Sequence, residues 1–478
     1  MAHDGAAAVP LLESSAKAGK PKRRNMYAFL YATLASMTTI FMGYNLALMS
    51  GAQLFIREDL GLSDAQVEVL AGSINVFMLA SILAAGWAAD HLGRRGTLVL
   101  ANAFLTAGAL ATSLGGSYAA LVFARFVTGV GSGFSVVVTS VYNAEISPAS
   151  MRGFLSSFLD MFISIGLLLS YVSNYAFSGM PVHLSWRVMY AAGVLPPLFL
   201  AAGVLAMPES PRWLAMRGRE ADARAVLVRT SDTPAEADLR LEEIMKQAVV
   251  KETNKVTSGV WTELLVHPSA SVRRVLVCVV GVHFFQQASG IDAIVLYSPL
   301  VFKKAGIESN AAVLGATVAV GVVKACFVLV ATLLSDRLGR RPLLLASTAG
   351  AAAAMASLGA TLCLGTRSST ATMAACVSSV MAFMVAFSVG FGPMAGTYSA
   401  EIMPLRLRAQ GTSLGNAVNR LTCGLVSMTF ISLADWITMP GCFFLYAGVA
   451  AAAFVFVYRR FPETKGRSLE DMDVLFAK

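Results

Sequence analysis

The feature that most constrains this chain is a set of long stretches with no charged side chain. Residues 96–124 hold none, and neither do 126–144, 188–207, 342–366, 368–400 or 436–458. An α-helix rises 1.5 Å per residue, so about 20 apolar residues cross a hydrocarbon core of ~30 Å. Within lipid only helices and closed barrels satisfy every backbone polar group, and uninterrupted apolar runs of this length read as helices. Five further runs, at 65–89, 153–177, 274–300, 309–335 and 408–432, carry one or two charges each, and the first apolar run is 26–51. Together they predict twelve spans. The composition agrees: 56% of the 478 residues are hydrophobic and only 14% are charged, too few for the surface of a soluble fold, which runs nearer ~25%.

The basic residues give the orientation. The net charge of +9 would suggest nucleic acid in a soluble protein, but here the positives fall in short clusters between apolar runs. Arg94 and Arg95, Arg152, Arg337 with Arg340 and Arg341, and Arg406 with Arg408 occupy alternate loops. By the positive-inside rule these loops and both termini are cytoplasmic. Residues 1–25 are polar and basic, without the apolar core of a cleaved signal peptide. Residues 208–272 are the exception among the loops, charged and helically patterned over 220–228 and 235–247. The expected division is a tail (1–25), a six-helix half (26–207), a cytoplasmic linker (208–272), a second six-helix half (273–461) and a tail (462–478).

The halves repeat each other. Asp90-His-Leu-Gly-Arg-Arg95 returns as Asp336-Arg-Leu-Gly-Arg-Arg341, and Glu145-Ile-Ser-Pro148 with Arg152 returns as Glu401-Ile-Met-Pro404 with Arg408. Two similar halves around a central path are the signature of an alternating-access transporter. The fold class is an all-α membrane protein, twelve transmembrane helices in two pseudo-symmetric six-helix halves.

These motifs, with Arg125-x-x-x-Gly129-x-Gly131-x-Gly133, Pro208-Glu-Ser-Pro-Arg-Trp-Leu214, Gln286-Gln-Ala-Ser-Gly-Ile-Asp292 and Pro462-Glu-Thr-Lys-Gly466, resemble the sugar-porter branch of the major facilitator superfamily. The resemblance covers the chain after residue 25. Within the branch, residues 283–292, 171–177 and 321–324 look most like plant polyol/monosaccharide transporters. It implies a small polyol or sugar as substrate, a surrounding lipid bilayer, a monomer, and the plasma membrane as location with the vacuolar membrane as the other option. It implies no nucleic acid and no cofactor, a proton being the one coupling ion to consider.

Polar groups inside a membrane are costly and default to functional hypotheses. Gln286 and Gln287 carry amides that both donate and accept, as sugar hydroxyls do. Ser289-Gly290 just after them would let the helix break. Asp292 stands where hexose carriers commonly have Asn, and Asn419 matches a sugar-binding position of the family. Asp160 falls where relatives carry Gln or, in polyol members, Glu. It could bind hydroxyls, titrate a proton, or pair with the buried Lys324. A second set, Asp90, Arg94, Arg95, Glu145, Arg152, Glu209, Arg212, Asp336, Arg340, Arg341, Glu401, Arg408 and Glu463, is expected to form cytoplasmic ion pairs joining the halves. Such pairs, present in one state only, would bias a two-state equilibrium and act as a gate.

Two departures from the family stand out. Proton-coupled relatives carry Asp after Gly-Tyr in the first span, facing an Arg in the fourth; here the stretch is Gly43-Tyr44-Asn45, with Arg125 retained. An amide carries no proton, so the expectation is a uniporter, with symport through Asp160 as the alternative. Gly396 stands where relatives have Trp, removing a stacking surface or widening the site. The remaining alternative is a non-transporting sugar sensor. No nucleophile–base pair, metal-ligand spacing or phosphate loop supports an enzyme, and the six cysteines read as free thiols within helices.

Overall fold

The computed structural model describes residues 25–148, 151, 155, 157–253, 264, 268–365, 369–404 and 407–464. Arg152 lies outside them, as do the side chains of Asp336 and Arg408.

The first half comprises α1 (Met26–Leu60), α2 (Asp64–Leu114), α3 (Tyr118–Ile146), α4 (Phe158–Phe177), α5 (Val182–Ala192) and α6 (Leu195–Leu205). α7 (Pro211–Met216), α8 (Glu220–Thr230) and α9 (Pro234–Thr253) form the linker. The second half comprises α10 (Ala270–Ala288), α11 (Ile291–Lys304), α12 (Asn310–Leu338), α13 (Arg340–Leu364), α14 (Thr370–Ala386), a π-turn (Phe387–Phe391), α15 (Gly392–Ile402), α16 (Arg408–Ile437) and α17 (Met439–Arg460). Among the described residues eleven continuous segments are long and apolar enough to cross a membrane, and Asp64–Leu114, at 51 residues with its bend at Gly93, is long enough to cross twice. That makes the twelve crossings expected.

Local chemistry sets the breaks. Asn25 caps α1 by accepting from the Tyr27 and Ala28 amides, and Ser63 with Gln66 forms a capping box at the start of α2. α2 turns at Gly93, whose φ of 82° is open to glycine and costly for other residues; a Cβ there would also overlap the Glu209 carboxylate. Gly339, φ 92°, does the same between α12 and α13, against Glu463. The chain therefore repeats its geometry as well as its letters. The seventh crossing divides at Gly290, φ 87°, and the tenth passes through the π-turn.

The loop expected near residue 116 falls within the uncharged stretch 96–124: the helix stops at Leu114, and Gly115-Gly116-Ser117 turns the chain. Ser117 then caps α3 by accepting from the Ala120 amide. A turn made of glycine and serine is invisible to a charge count. Its consequence is that Arg125 sits two turns inside α3 rather than at its start.

Apolar side chains cover the outside of the bundle, Leu83, Phe199 and Leu364 among them, as a lipid surround requires. Small linker residues Leu214, Ala215 and Ala223 make a separate core, and Trp213 donates to the Asp90 carbonyl while Arg240 donates to the Glu145 carbonyl. The linker thus docks on the first half.

The halves meet on the side opposite the arginine motifs. There the carboxylate of Glu68, 2% exposed, accepts from both the amide and the hydroxyl of Ser432. Gln53 donates to the Leu296 carbonyl at 2.8 Å and Tyr171 to that of Val295 at 2.7 Å. Gly72 packs directly on Met428, and Gly321 on Tyr171. On this outer side hydrogen bonds and close packing join the halves.

Candidate functional site

A cavity of about 170 Å³ lies between the halves at mid-bundle, walled by α1 and α4 on one side and α10–α12, α15 and α16 on the other. Of the residues picked from sequence, Asp160, Gln286, Gln287 and Asp292 line it. Asn419 stands just behind and is held by both glutamines. Its Nδ2 donates to Gln286 Oε1 at 2.7 Å, and its Oδ1 accepts from Gln287 Nε2 at 3.1 Å. Gln286 Nε2 in turn donates to the carbonyls of Phe391 and Gly392, at 2.9 and 2.7 Å, anchoring α10 to the π-turn of the tenth crossing.

The amide triad is therefore largely consumed by itself. Three buried polar atoms of the cavity lining have no hydrogen-bond partner, the acceptors Gln287 Oε1 and Asp292 Oδ2 and the Ser388 hydroxyl. An orphaned buried polar atom costs roughly 1–3 kcal/mol and calls for an explanation. All three belong to the wall of the cavity, where a ligand hydroxyl can donate to them. Asp160 opens to the same cavity from α4, and Lys324 faces it from α12. No ion pair within 4 Å joins Asp160 to Lys324, so the pairing weighed from sequence is absent in this state.

Sequence reasoning passed over Arg420. It also lines the cavity, donates through Nε and Nη2 to Asn419 Oδ1 at 3.1 and 2.7 Å, and reaches Met78 Sδ in the first half. A single arginine inside an apolar run was the available signal. Gly396 is not part of the cavity wall; a Cβ on it meets nothing within 4 Å.

Asn45 and Arg125 come together, but not side chain to side chain. Arg125, 2% exposed, donates to the backbone carbonyl of Asn45 at 3.1 Å and to the Tyr190 hydroxyl at 2.8 Å, with its guanidinium 5.6 Å from that ring's centre. The Asn45 amide turns away to the Phe41 carbonyl, 2.8 Å. No carboxylate faces Arg125 among the described residues.

The cytoplasmic motifs form two matching networks. In the first half Arg94 bridges Asp90 at 3.1 Å and Glu145 at 3.0 Å, while Glu209 accepts from the amides of Arg94 and Arg95. In the second, Arg340 pairs with Glu401 at 2.9 Å, while Glu463 accepts from the amides of Arg340 and Arg341. Arg212 makes no polar contact with these groups among the described residues. The sequence reading placed these pairs between the halves; in this state they run within each half. Equal spacing of acids and bases in both repeats reveals that pairs exist, not which partner each finds.

The chain matches the family model described as sugar (and other) transporter over residues 31–476. It is 50% identical over 472 residues to polyol transporter 5 of Arabidopsis thaliana, spanning 96% of this chain and 88% of that protein. It is 32% identical over 448 residues to the glucose transporter GlcP of Staphylococcus epidermidis, spanning 93% and 96%. The proton:xylose symporter XylE bound to 6-bromo-6-deoxy-D-glucose superposes with a TM-score of 0.78 at 24% identity, over 95% of this chain and 100% of that one. The inward-open conformation of XylE from E. coli gives 0.78 at 24%, over 94% and 100%. The fold is that of the major facilitator superfamily, and the chain belongs to its sugar transporter family, a multi-pass membrane carrier and not an enzyme.

Proposed function

We propose that this chain carries a polyol or monosaccharide across the plasma membrane by alternating access, without a proton gradient. The observation that carries the reading is the pair of orphaned acceptors, Gln287 Oε1 and Asp292 Oδ2, in a cavity shared by the two halves. With the carboxylate of Asp160 opposite, the wall is rich in acceptors, and a polyol presents a donor at every hydroxyl. The likeness to polyol transporters at 50% identity supports the same class of solute.

Proton independence rests on Arg125. Its charge is met by a carbonyl and a phenol, neither of which gains or loses a proton at working pH, so the first-span switch has no titrating member. The cytoplasmic networks stiffen each half into a rigid body, and pairs between halves would form when the inner side closes. The test is uptake of labelled mannitol, sorbitol, xylitol, inositol and glucose in a transport-deficient cell at two external pH values. Wild type should take up at least one solute equally at both, and Asn45→Asp should introduce a pH dependence. Alkalinisation of the medium on adding substrate to wild type would refute the uniporter, and its loss in Asp160→Asn would instead establish symport through that carboxylate.

A further inference from the structure

Four charged side chains line the central cavity: Asp160 from α4 in the first half, and Asp292, Lys324 and Arg420 from α11, α12 and α16 in the second. Their formal charges sum to zero. We propose, resting on the proton-independent reading above, that Lys324 is a tethered counter-ion for Asp160. Its ammonium compensates that carboxylate across the gap between the halves and stands in for a coupling proton.

Three observations carry this. First, the two cations are not equally committed. Arg420 spends Nε and Nη2 on Asn419 Oδ1, and its Nη1 reaches Met78 Sδ. Lys324 has no hydrogen bond or ion pair among the described residues, so its ammonium is free to move to a partner.

Second, Asp160 has no cation of its own half beside it in the cavity. The other first-half residues of the wall are Met42, Gly43, Leu46, Ile163, Ser164 and Leu167. Its compensation must come across the gap. Asp292, by contrast, shares a half with both cations and faces the Cys423 thiol.

Third, the helices that carry the pair pack on one another. Gly321 of α12 lies against α4, where a Cβ would come within 2.7 Å of Tyr171 and 3.2 Å of Leu168. Lys324 follows three residues later, on the same face of α12. The remaining titratable groups around it are few. Tyr171 of α4 donates its hydroxyl to the Val295 carbonyl, Cys423 faces it from α16, and Glu401 of α15 is already paired with Arg340. α14 and the π-turn, also packed on α12, hold no charged side chain.

A polyol is neutral and leaves the charge of the cavity unchanged. A lone buried carboxylate carried between two faces is costly unless something compensates it. A proton does so only after binding from one side, whereas a lysine of the chain is present in every state. With Lys324 in place Asp160 stays ionised through the cycle, and no proton need travel with the solute.

The test is uptake of the labelled solutes named above by the full-length protein in the transport-deficient cell, at two external pH values, with the pH of the medium recorded. Lys324→Gln should transport faster at the lower pH, by up to ~10-fold per pH unit where one proton must bind Asp160, and should alkalinise the medium as solute enters. Lys324→Arg should stay independent of pH. Asp160→Asn combined with Lys324→Gln should return to pH independence, because the charge to be compensated has gone. Equal uptake by Lys324→Gln at both pH values, with KM raised alike, would make Lys324 a solute donor only and overturn the proposal. So would a folded Lys324→Gln, inactive at both pH values, that Asp160→Asn fails to revive. Either result leaves the proton-independent carrier standing; alkalinisation by wild type would refute that carrier and the counter-ion role with it.

Discussion

Replacing Gln286 by leucine should raise the KM for polyol at least tenfold, with protein at the wild-type level in the membrane. Three hydrogen bonds end on this one amide: two donated to the Phe391 and Gly392 carbonyls and one accepted from Asn419. Leucine has similar bulk but leaves all three partners unmatched, at roughly 1–3 kcal/mol for each that water fails to reach. The damage falls on preorganisation, because Gln286 ties the broken seventh crossing to the π-turn of the tenth and holds Asn419 where Gln287 meets it. Uptake kinetics in the variant, with melting of the purified protein as a check on folding, read this directly. An unchanged KM would mean that the amide triad plays no part in forming the site.

The second large effect is expected at Gly72→Leu, far from the cavity. A side chain there would overlap Met428 and crowd Ser427, where the outer ends of α2 and α16 touch. Under the proposed alternating access, this outer contact is made when the outer side is closed and parted when it opens. Overpacking of this kind costs about 1–3 kcal/mol, all of it charged to one side of a two-state equilibrium, a shift of roughly five- to 150-fold. Net uptake should drop by about tenfold or more, while a cysteine placed by Ser432→Cys becomes more reactive to an impermeant maleimide added outside. Lower uptake with unchanged labelling would place the defect in folding rather than in the outer seal.

These two expectations rest on different amounts of sequence information. The number of crossings was readable from hydropathy, because lipid forbids charge and the chain obeys. The break at Ser289-Gly290 was readable too, since φ of 87° is where glycine is needed. The duplicated motifs disclosed the two halves and located Arg94 and Arg340 at equivalent bends. What sequence withheld was partner choice. Nothing in the letters says that Gln286 spends both amide hydrogens on carbonyls, leaving Gln287 Oε1 and Asp292 Oδ2 open. Nor do they say that Arg94 turns to Glu145 of its own half. Arg420 escaped notice because one charge in a long apolar run reads as tolerable, until the structure shows it against Asn419.

The central claim is that a cavity at mid-membrane passes a polyol to either face without help from protons. Entrance counterflow tests it most directly. Proteoliposomes loaded with unlabelled mannitol, or with whichever solute the uptake panel selects, are diluted into trace labelled solute at equal pH on both sides with a protonophore present. The account predicts a transient accumulation of label above its equilibrium level, abolished by Gln286→Leu. No overshoot from correctly folded wild-type protein under these conditions would contradict it.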